Sequence, residues 1–155
     1  MEYFKALVDL LEDKEQNVRT ATAHVFKNLS LNSYGNEAIR DAGAANDMIK
    51  SFIEHSKDGN IEAAHGPYLI FLLEAFVNLT FNDYGIEPLL GKGAISQFTM
   101  LLSAQFAMDA LTPEDHGMLC QLCLRVLGNM SINHDGKQEC IDNQVIKSSA
   151  WFLDE

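Results

Sequence analysis

Positive charge is scarce in this chain. Its 155 residues include 11 Lys and Arg against 22 Asp and Glu, which gives a net charge of −11. Proteins that bind nucleic acid neutralise phosphates with basic side chains, and anionic membrane surfaces attract the same residues. The composition therefore argues against a nucleic-acid or membrane partner. It suits a protein partner of basic character, and the alternative is that the protein is simply acidic, as many soluble proteins are.

Long apolar runs, a leader pattern and a disulfide framework are also missing. No stretch approaches the 18 apolar residues that would indicate a membrane span. The first residues, Met1 to Lys5, lack the basic-then-apolar layout of a secretory signal. The three cysteines, Cys120, Cys123 and Cys140, are too few and odd in number for a disulfide scaffold. We expect a reduced, cytoplasmic protein.

Familiar catalytic patterns are absent from the sequence as well. It contains no Gly-rich phosphate loop, no nucleophile elbow and no His-Glu-x-x-His helix. No segment alternates apolar and polar residues as a half-buried strand does. Yet 47% of the residues are hydrophobic, as in a folded protein. We therefore expect an all-α protein without enzymatic activity, cofactor or metal.

What the chain does contain is one pattern in three versions. Asn-Leu-Ser-Leu-Asn at 28–32 matches Asn-Leu-Thr-Phe-Asn at 78–82 and Asn-Met-Ser-Ile-Asn at 129–133. The first Asn recurs after 50 and then 51 residues, and a Gly follows it by 7 residues each time. A fixed period indicates stacked units, each of which buries its apolar side against its neighbours. Such arrays form long surfaces rather than catalytic pockets, which favours a binding function.

Apolar residues surround each of these asparagines at helical spacing. They predict a helix from about Gln16 to Leu31, a second from near Pro67, and a third just after Pro113 with Thr112 as its N-cap. Each should end before its Gly, at 35, 85 or 136. Short helices should follow at Asn36–Ala42, Ile86–Gly91 and Lys137–Asp142, and longer ones at Ala45–His55, Ile95–Met108 and Val145–Leu153.

Three helices per unit, with these residues, resemble the armadillo family. Segments 23–30, 74–80 and 125–131 are similar to its third helix, and the Gly-Ala pairs at 43 and 93 to the turn into its second helix. The third copy lacks that Gly, so we expect Asn143 in the left-handed region.

The resemblance implies a right-handed armadillo- or HEAT-like α-solenoid of about three repeats, truncated at both ends. Residues 1–155 would form a single domain. It would comprise a partial repeat 1–33, repeats 34–83 and 84–134, and a partial repeat 135–155.

The resemblance also implies a concave groove, lined by the third helices, in which Asn bonds the main chain of an extended ligand. Asn28, Asn78 and Asn129 are the candidates for this role. A carboxamide offers donors and an acceptor, which match a peptide group. The alternative is that each Asn caps its own unit or bonds a neighbouring loop.

One helical turn earlier, the nuclear-import adaptors of this family carry Trp. This chain has His24, Glu74 and Arg125 there instead, so we do not expect the groove of an import adaptor. These three side chains would flank the groove and read a partner differently in each unit. The alternative is a solvated groove wall.

The predicted function is a protein-interaction scaffold that binds an extended or helical segment of a partner. One alternative is a structural subunit of a ciliary or cytoskeletal assembly, because segment 133–146 is similar to armadillo proteins of ciliary radial spokes. Another is a zinc or redox protein using Cys120, Cys123 and Cys140, although Cys123 falls on an apolar helix face, which favours core packing. A chaperone-like binder of many clients is a further alternative.

Overall fold

The computed structural model describes residues 2–57, 61, 65–103 and 111–150. Across these residues the protein is all α-helical, without a strand, as the sequence predicts. The α-helices are α1 (Glu2–Leu10), α2 (Gln16–Leu29), α3 (Ser33–Asp41), α4 (Ala44–Ser56), α5 (Gly66–Leu79), α6 (Asp83–Ile86), α7 (Ala94–Leu102), α8 (Pro113–Met130), α9 (His134–Asp142) and α10 (Val145–Ser149). A 3-10 turn, Glu87–Leu89, follows α6.

Helices α2, α5 and α8 carry the three repeated asparagines, and we call them the asparagine helices. They lie side by side, with α5 in the middle and packed against both others. A second row of helices runs beside them, in which α4 contacts α1 and α7, and α7 contacts α10. Because α5 has neighbours on both sides, most of its side chains are apolar and buried.

Aromatic rings join the two rows of helices in the core. Phe52 of α4 contacts Phe76 of α5 and Phe98 of α7, with ring centroids 5.8 and 5.4 Å apart. Both contacts are edge-to-face, an arrangement that aromatic pairs favour. These three rings are fully buried, and so is Phe26 of α2.

The asparagine helices begin where local sequence signals predict. The Thr112 hydroxyl accepts a hydrogen bond from the backbone N–H of Asp115 at 3.1 Å and caps α8, with Pro113 in the first turn. Helix α5 likewise has Pro67 in its first turn. Proline suits this place because its missing N–H has no partner there in any case.

The short helices begin three residues earlier than predicted. A second Asn of each motif is the N-cap, since its side chain accepts the backbone N–H of the Gly that follows by three residues. That Gly is therefore part of the short helix and does not lie before it, although each asparagine helix does end before its Gly, as predicted. The bonds are Gly35 N to Asn32 at 2.9 Å, Gly85 N to Asn82 at 3.2 Å and Gly136 N to Asn133 at 3.2 Å.

The turns into α4, α7 and α10 use the left-handed region. Gly43 and Gly93 adopt φ values of 71° and 76° directly before α4 and α7. Before α10 the left-handed residue is Gln144, with φ 54°, whereas Asn143 has φ −86°. The prediction for Asn143 is wrong by one residue. The residue at the start of α10 must adopt the geometry that glycine supplies in the other two turns.

Two predicted helix ends, at Met108 and Leu153, lie outside the described residues. Helices α7 and α10 nevertheless end earlier than predicted, at Leu102 and Ser149. Within the described ranges, no helix is both long enough and apolar enough to cross a membrane.

Candidate functional site

Two of the three predicted asparagines link neighbouring helices. Asn78 Nδ2 donates to Ser30 Oγ at 3.0 Å. Asn129 Nδ2 donates to Thr80 Oγ1 at 3.1 Å and to the carbonyl of Val77 at 3.2 Å. Each asparagine helix is therefore tied to the preceding one. These bonds use the amide nitrogens only, so the side-chain oxygens keep acceptor capacity for a ligand.

Asn28 is in a different situation from its two equivalents. Its side chain is exposed. It has no hydrogen-bond partner among the described residues. By contrast, Asn78 and Asn129 are both half-buried. The repeated Asn thus contributes to the structure in two units and is free to bind in the first.

The hydroxyl two residues after each Asn explains why the motif has Ser or Thr there. Ser30 Oγ donates to the carbonyl of Lys27 at 2.6 Å, and Thr80 Oγ1 to that of Phe76 at 2.7 Å. A hydroxyl can donate to its own helix and still accept from the next Asn. Ser131 Oγ also bonds its own helix, at the carbonyl of Gly128. The Asn–hydroxyl pair is therefore the hydrogen-bonded contact between successive asparagine helices.

Two of the three side chains predicted for the groove wall contact neighbouring residues. Glu74 forms an ion pair with Lys27 at 2.8 Å, and His24 stacks on Phe71 with ring centroids 4.6 Å apart. Arg125 is exposed. The Lys27–Glu74 pair is partly solvated, so its contribution to stability is small. A partner that binds here can compete for both charges.

Three of the six predicted site residues meet in one small depression. Glu74, Asn78 and Arg125 line it, and its volume is about 100 Å³. Asn129 lines a larger, neighbouring depression of about 560 Å³. His24 and Asn28 lie on α2. The structure thus brings part of the predicted site together on the asparagine helices.

An exposed apolar row is a candidate binding feature that the sequence did not predict. Leu31, Phe81 and Ile132, each three residues after a repeated Asn, are 65%, 75% and 83% exposed. We call these three residues the apolar row. The asparagine helices end one residue after the Asn. These side chains therefore lie in turns, and not on the buried face of the helix. The signal for this was the N-cap Asn that directly follows each of them.

The larger depression is lined both by residues of the apolar row and by one of the predicted site residues. Phe81 and Ile132 line it together with Asn129, Asp83 and Tyr84, among others. Tyr84 is 68% exposed. The walls of the depression are largely apolar, and two amides and a carboxylate also line it. Such a surface can bury apolar side chains of an extended segment and bond its main chain.

The three cysteines have the properties of core residues. Burial raises the pKa of Cys120 to about 11, and it raises the pKa values of Cys123 and Cys140 as well. Reactive or metal-binding thiols need a lowered pKa. In the described part of the chain, no group of three His, Cys, Asp or Glu side chains could hold a metal ion. These observations favour packing over zinc or redox chemistry.

No family model and no curated protein matches this chain. Two crystal structures of engineered proteins from the Northeast Structural Genomics Consortium share its fold. One has a TM-score of 0.74 and 18% sequence identity over 96% of this chain, and the other has 0.73 and 16% over 96%. The chain spans 55% and 53% of their lengths. At this identity the likeness concerns the fold alone.

Proposed function

We propose that this protein is a segment of a right-handed, armadillo-type α-solenoid that serves as a non-catalytic scaffold for protein interaction. The support for the solenoid is the 50- and 51-residue period together with the side-by-side asparagine helices. The same Asn–hydroxyl contact joins both pairs of helices. Under this proposal 34–83 and 84–134 are the two complete repeats.

The exposed apolar row is the observation that carries the binding function. Side chains of this size are normally exposed singly, whereas here three equivalent positions are all exposed. Equivalent positions in successive repeats form a series along the solenoid. The partner that fits is an extended segment with apolar side chains at matching intervals. Basic residues in that segment would complement the net charge of −11.

A peptide-display experiment tests this function. Random peptides are selected on the folded chain, and the affinity of enriched peptides is measured by fluorescence polarisation. The combined variant Leu31→Ser, Phe81→Ser and Ile132→Ser should lose at least about tenfold in affinity, or about 1.4 kcal/mol. Its melting temperature should stay near that of the wild type because the three side chains are exposed.

The matched control is Tyr3→Ser, which removes an equally exposed ring elsewhere, on α1. It should leave the affinity unchanged. Failure to enrich any peptide, or full affinity in the triple variant, would contradict the proposal.

Alanine variants separate the two roles of the repeated asparagines. Asn28→Ala should weaken peptide binding without lowering the melting temperature, because this side chain bonds no described residue. Asn78→Ala and Asn129→Ala should each lower stability by about 1 kcal/mol, since each removes a link between helices. Equal losses of stability in all three would show that Asn28 is structural too.

A further inference from the structure

The apolar row is accompanied by a second set of equivalent positions, which carry tyrosine. Tyr34 and Tyr84 each lie two residues after an N-cap Asn, and they are 83% and 68% exposed. Phe81 is 75% exposed although α5 is packed between α2 and α8, so this exposure belongs to the inner unit and does not depend on a missing neighbour. Each of the first two units therefore exposes one apolar side chain and one phenol ring.

The spacing of the units matches the repeat of a polyproline II helix. Helices α2, α5 and α8 pack side by side, and the axes of packed helices lie about 8–10 Å apart. A polyproline II helix has three residues per turn and rises about 3.1 Å per residue, so it presents the same face about every 9.3 Å. A β-strand returns to the same face after two residues, or about 6.6 Å, which is shorter than the spacing of the units. Every third residue of a polyproline II ligand would therefore meet one unit.

Free hydrogen-bond donors lie beside the apolar row. The Asn82 side-chain oxygen accepts the N–H of Gly85, and its Nδ2 has no partner among the described residues. The hydroxyl of Tyr84 likewise bonds none of the residues that the structure describes. Proline has no N–H, and the backbone of a polyproline II helix makes no internal hydrogen bonds, so such a ligand offers mainly carbonyl acceptors. The free donors suit these carbonyls.

The charges at the larger depression favour a basic residue in the ligand. Of the described residues that line this depression, only Asp83 is charged, and its partner is the neutral amide of Asn133 at 3.1 Å. Asp135, which takes the place of the tyrosines in the third unit, is exposed and has no ion pair within the described ranges. The guanidinium of Arg40 lies 5.7 Å from the centroid of the α6 tyrosine ring, but it is paired with Asp41 at 2.8 Å. The uncompensated charge here is therefore negative.

We infer that the partner segment is rich in proline, adopts a polyproline II helix and lies across the units along the apolar row. This inference rests on the proposed binding function and narrows its partner. Every third residue of the segment packs on the apolar row, and the rings of the intervening prolines pack on Tyr34 and Tyr84. A Lys or Arg of the segment lies beside Asp83 and Asp135. Aromatic-lined grooves suit such segments because the preformed helix loses little conformational entropy on binding.

Fluorescence polarisation with labelled synthetic peptides tests the inference on the whole chain. The first peptide repeats Pro-Pro-Leu over about 12 residues, or four turns of polyproline II, and carries Arg at both ends so that either direction of binding is possible. The second replaces every proline with Ser, which keeps the leucine spacing without the preformed helix. The third is also rich in proline but places leucine at every fourth position, so its leucines no longer share one face.

The first peptide should bind at least about tenfold more tightly than the other two, a difference of about 1.4 kcal/mol. Equal affinity of the first and second peptides would overturn the inference and leave the binding function intact, because an ordinary extended segment would then suffice. Equal affinity of the first and third would also overturn it, since the three-residue period would then have no effect. Absence of binding by the first peptide overturns it too, and the peptides selected from the random library then show whether the binding function holds.

The exposed tyrosines provide matched variants for this experiment. Tyr84→Ser should weaken binding of the first peptide about fivefold to tenfold, the loss expected for one aromatic contact. Its melting temperature should stay near that of the wild type because the ring is exposed. Tyr3→Ser removes an exposed ring on α1 and should leave the affinity unchanged. Equal affinity of the Tyr84→Ser variant and the wild type would overturn the inference.

A second pair of variants tests the place of the basic residue. Asp83→Asn should weaken binding of the first peptide, but not of a version with Gln in place of Arg, because only the charged peptide loses an ionic contact. Added salt should likewise weaken the Arg peptide more than the Gln peptide. Asp9→Asn changes the net charge equally at an exposed position on α1 and should have little effect. Equal losses in the two variants would contradict the inferred placement of the segment.

Discussion

At the scale of single residues, two glycines allow the short helix after each of the first two asparagine helices to lie close to the end of that helix. A Cβ on Gly35 or Gly85 would lie 1.8 Å from the backbone oxygen of Leu29 or Leu79. These oxygens belong to the backbone, so no side-chain rotation can relieve the overlap. Neither glycine has a positive φ. The motif therefore needs Gly for space rather than for a left-handed conformation.

Gly85→Ala should lower the free energy of unfolding by about 3 kcal/mol, because α6 must move away from the end of α5. Urea unfolding followed by circular dichroism measures the change. Gly117→Ala is the control, since a Cβ there meets nothing within 4 Å inside α8. It should instead raise stability by up to about 1 kcal/mol, through helix propensity. Equal effects of the two substitutions would refute the steric explanation.

A second residue-scale feature is a histidine held in a basic environment. The rings of His55 and His65 lie 5.1 Å apart, with Arg19 near His65. Burial lowers the pKa of His55, and the charges of His65 and Arg19 lower it further. Glu12 and Glu54 act in the opposite direction, but they do not reverse the shift. The fold therefore favours the neutral form of His55.

Stability should consequently fall as the pH is lowered through the ordinary His pKa of 6.5. Below that value the unfolded chain binds a proton that the folded His55 does not, which favours unfolding until the pH reaches the lower, folded pKa. Above 6.5 both states are neutral, and the contribution is constant. His55→Gln should flatten the pH dependence of the unfolding free energy below pH 6.5. His134→Gln, which changes an exposed histidine, should leave it intact.

At the scale of elements, helix ends that are buried find partners on neighbouring helices. Gln97 of α7 donates through Nε2 to the carbonyl of Ser56 at 2.6 Å and to Ser56 Oγ at 2.9 Å. Ser56 is the last residue of α4 and is fully buried. The last carbonyls of a helix lack partners within it. Helix α7 thus satisfies the C-terminal end of α4.

Gln97→Leu should destabilise the protein by about 1–3 kcal/mol, because it leaves the buried Ser56 carbonyl without its donor. The same substitution at Gln121 is the control, since that side chain is exposed on α8. It should change stability by less than about 0.5 kcal/mol. Thermal unfolding of the two variants in parallel makes the comparison. A Gln97→Leu variant as stable as the wild type would show that water replaces the glutamine.

Element boundaries were predictable where the signal is local. Thr112 and Pro113 mark the start of α8 through their own hydrogen bonding and φ preference, and no distant residue is needed. The start of α3 was placed too late because the motif contains two asparagines. Asn32 is the N-cap of α3, while Asn28 lies in the last turn of α2, and residue type alone does not separate these roles. The left-handed turn before α10 occurs at Gln144, since the position and not the residue type determines the conformation.

At the scale of the whole molecule, burial decreases from the middle of the row of helices toward both sides. Helix α5 has neighbours on both sides and a largely buried sequence. Helix α10 has no fully buried residue among those described. Local opening is least costly where few apolar contacts are lost. The molecule should therefore open from its outer helices and retain α5 longest.

Hydrogen exchange should show this gradient directly. Amides of α5 should exchange most slowly, and those of α1 and α10 most rapidly, because protection follows the contacts that opening must break. Uniform protection from α1 to α10 would instead indicate a single cooperative unit.

The sequence by itself determined the all-α class, the threefold motif, the cap of α8 and the left-handed glycines before α4 and α7. Each of these depends on a residue's own conformational preference or on spacing along one helix. Only the tertiary structure decided that the amides of Asn78 and Asn129 bond a neighbouring helix, and that the apolar row is exposed. The physical reason is that burial and hydrogen-bond partners depend on what lies beside a helix, and the motif is the same whether or not a neighbour is present.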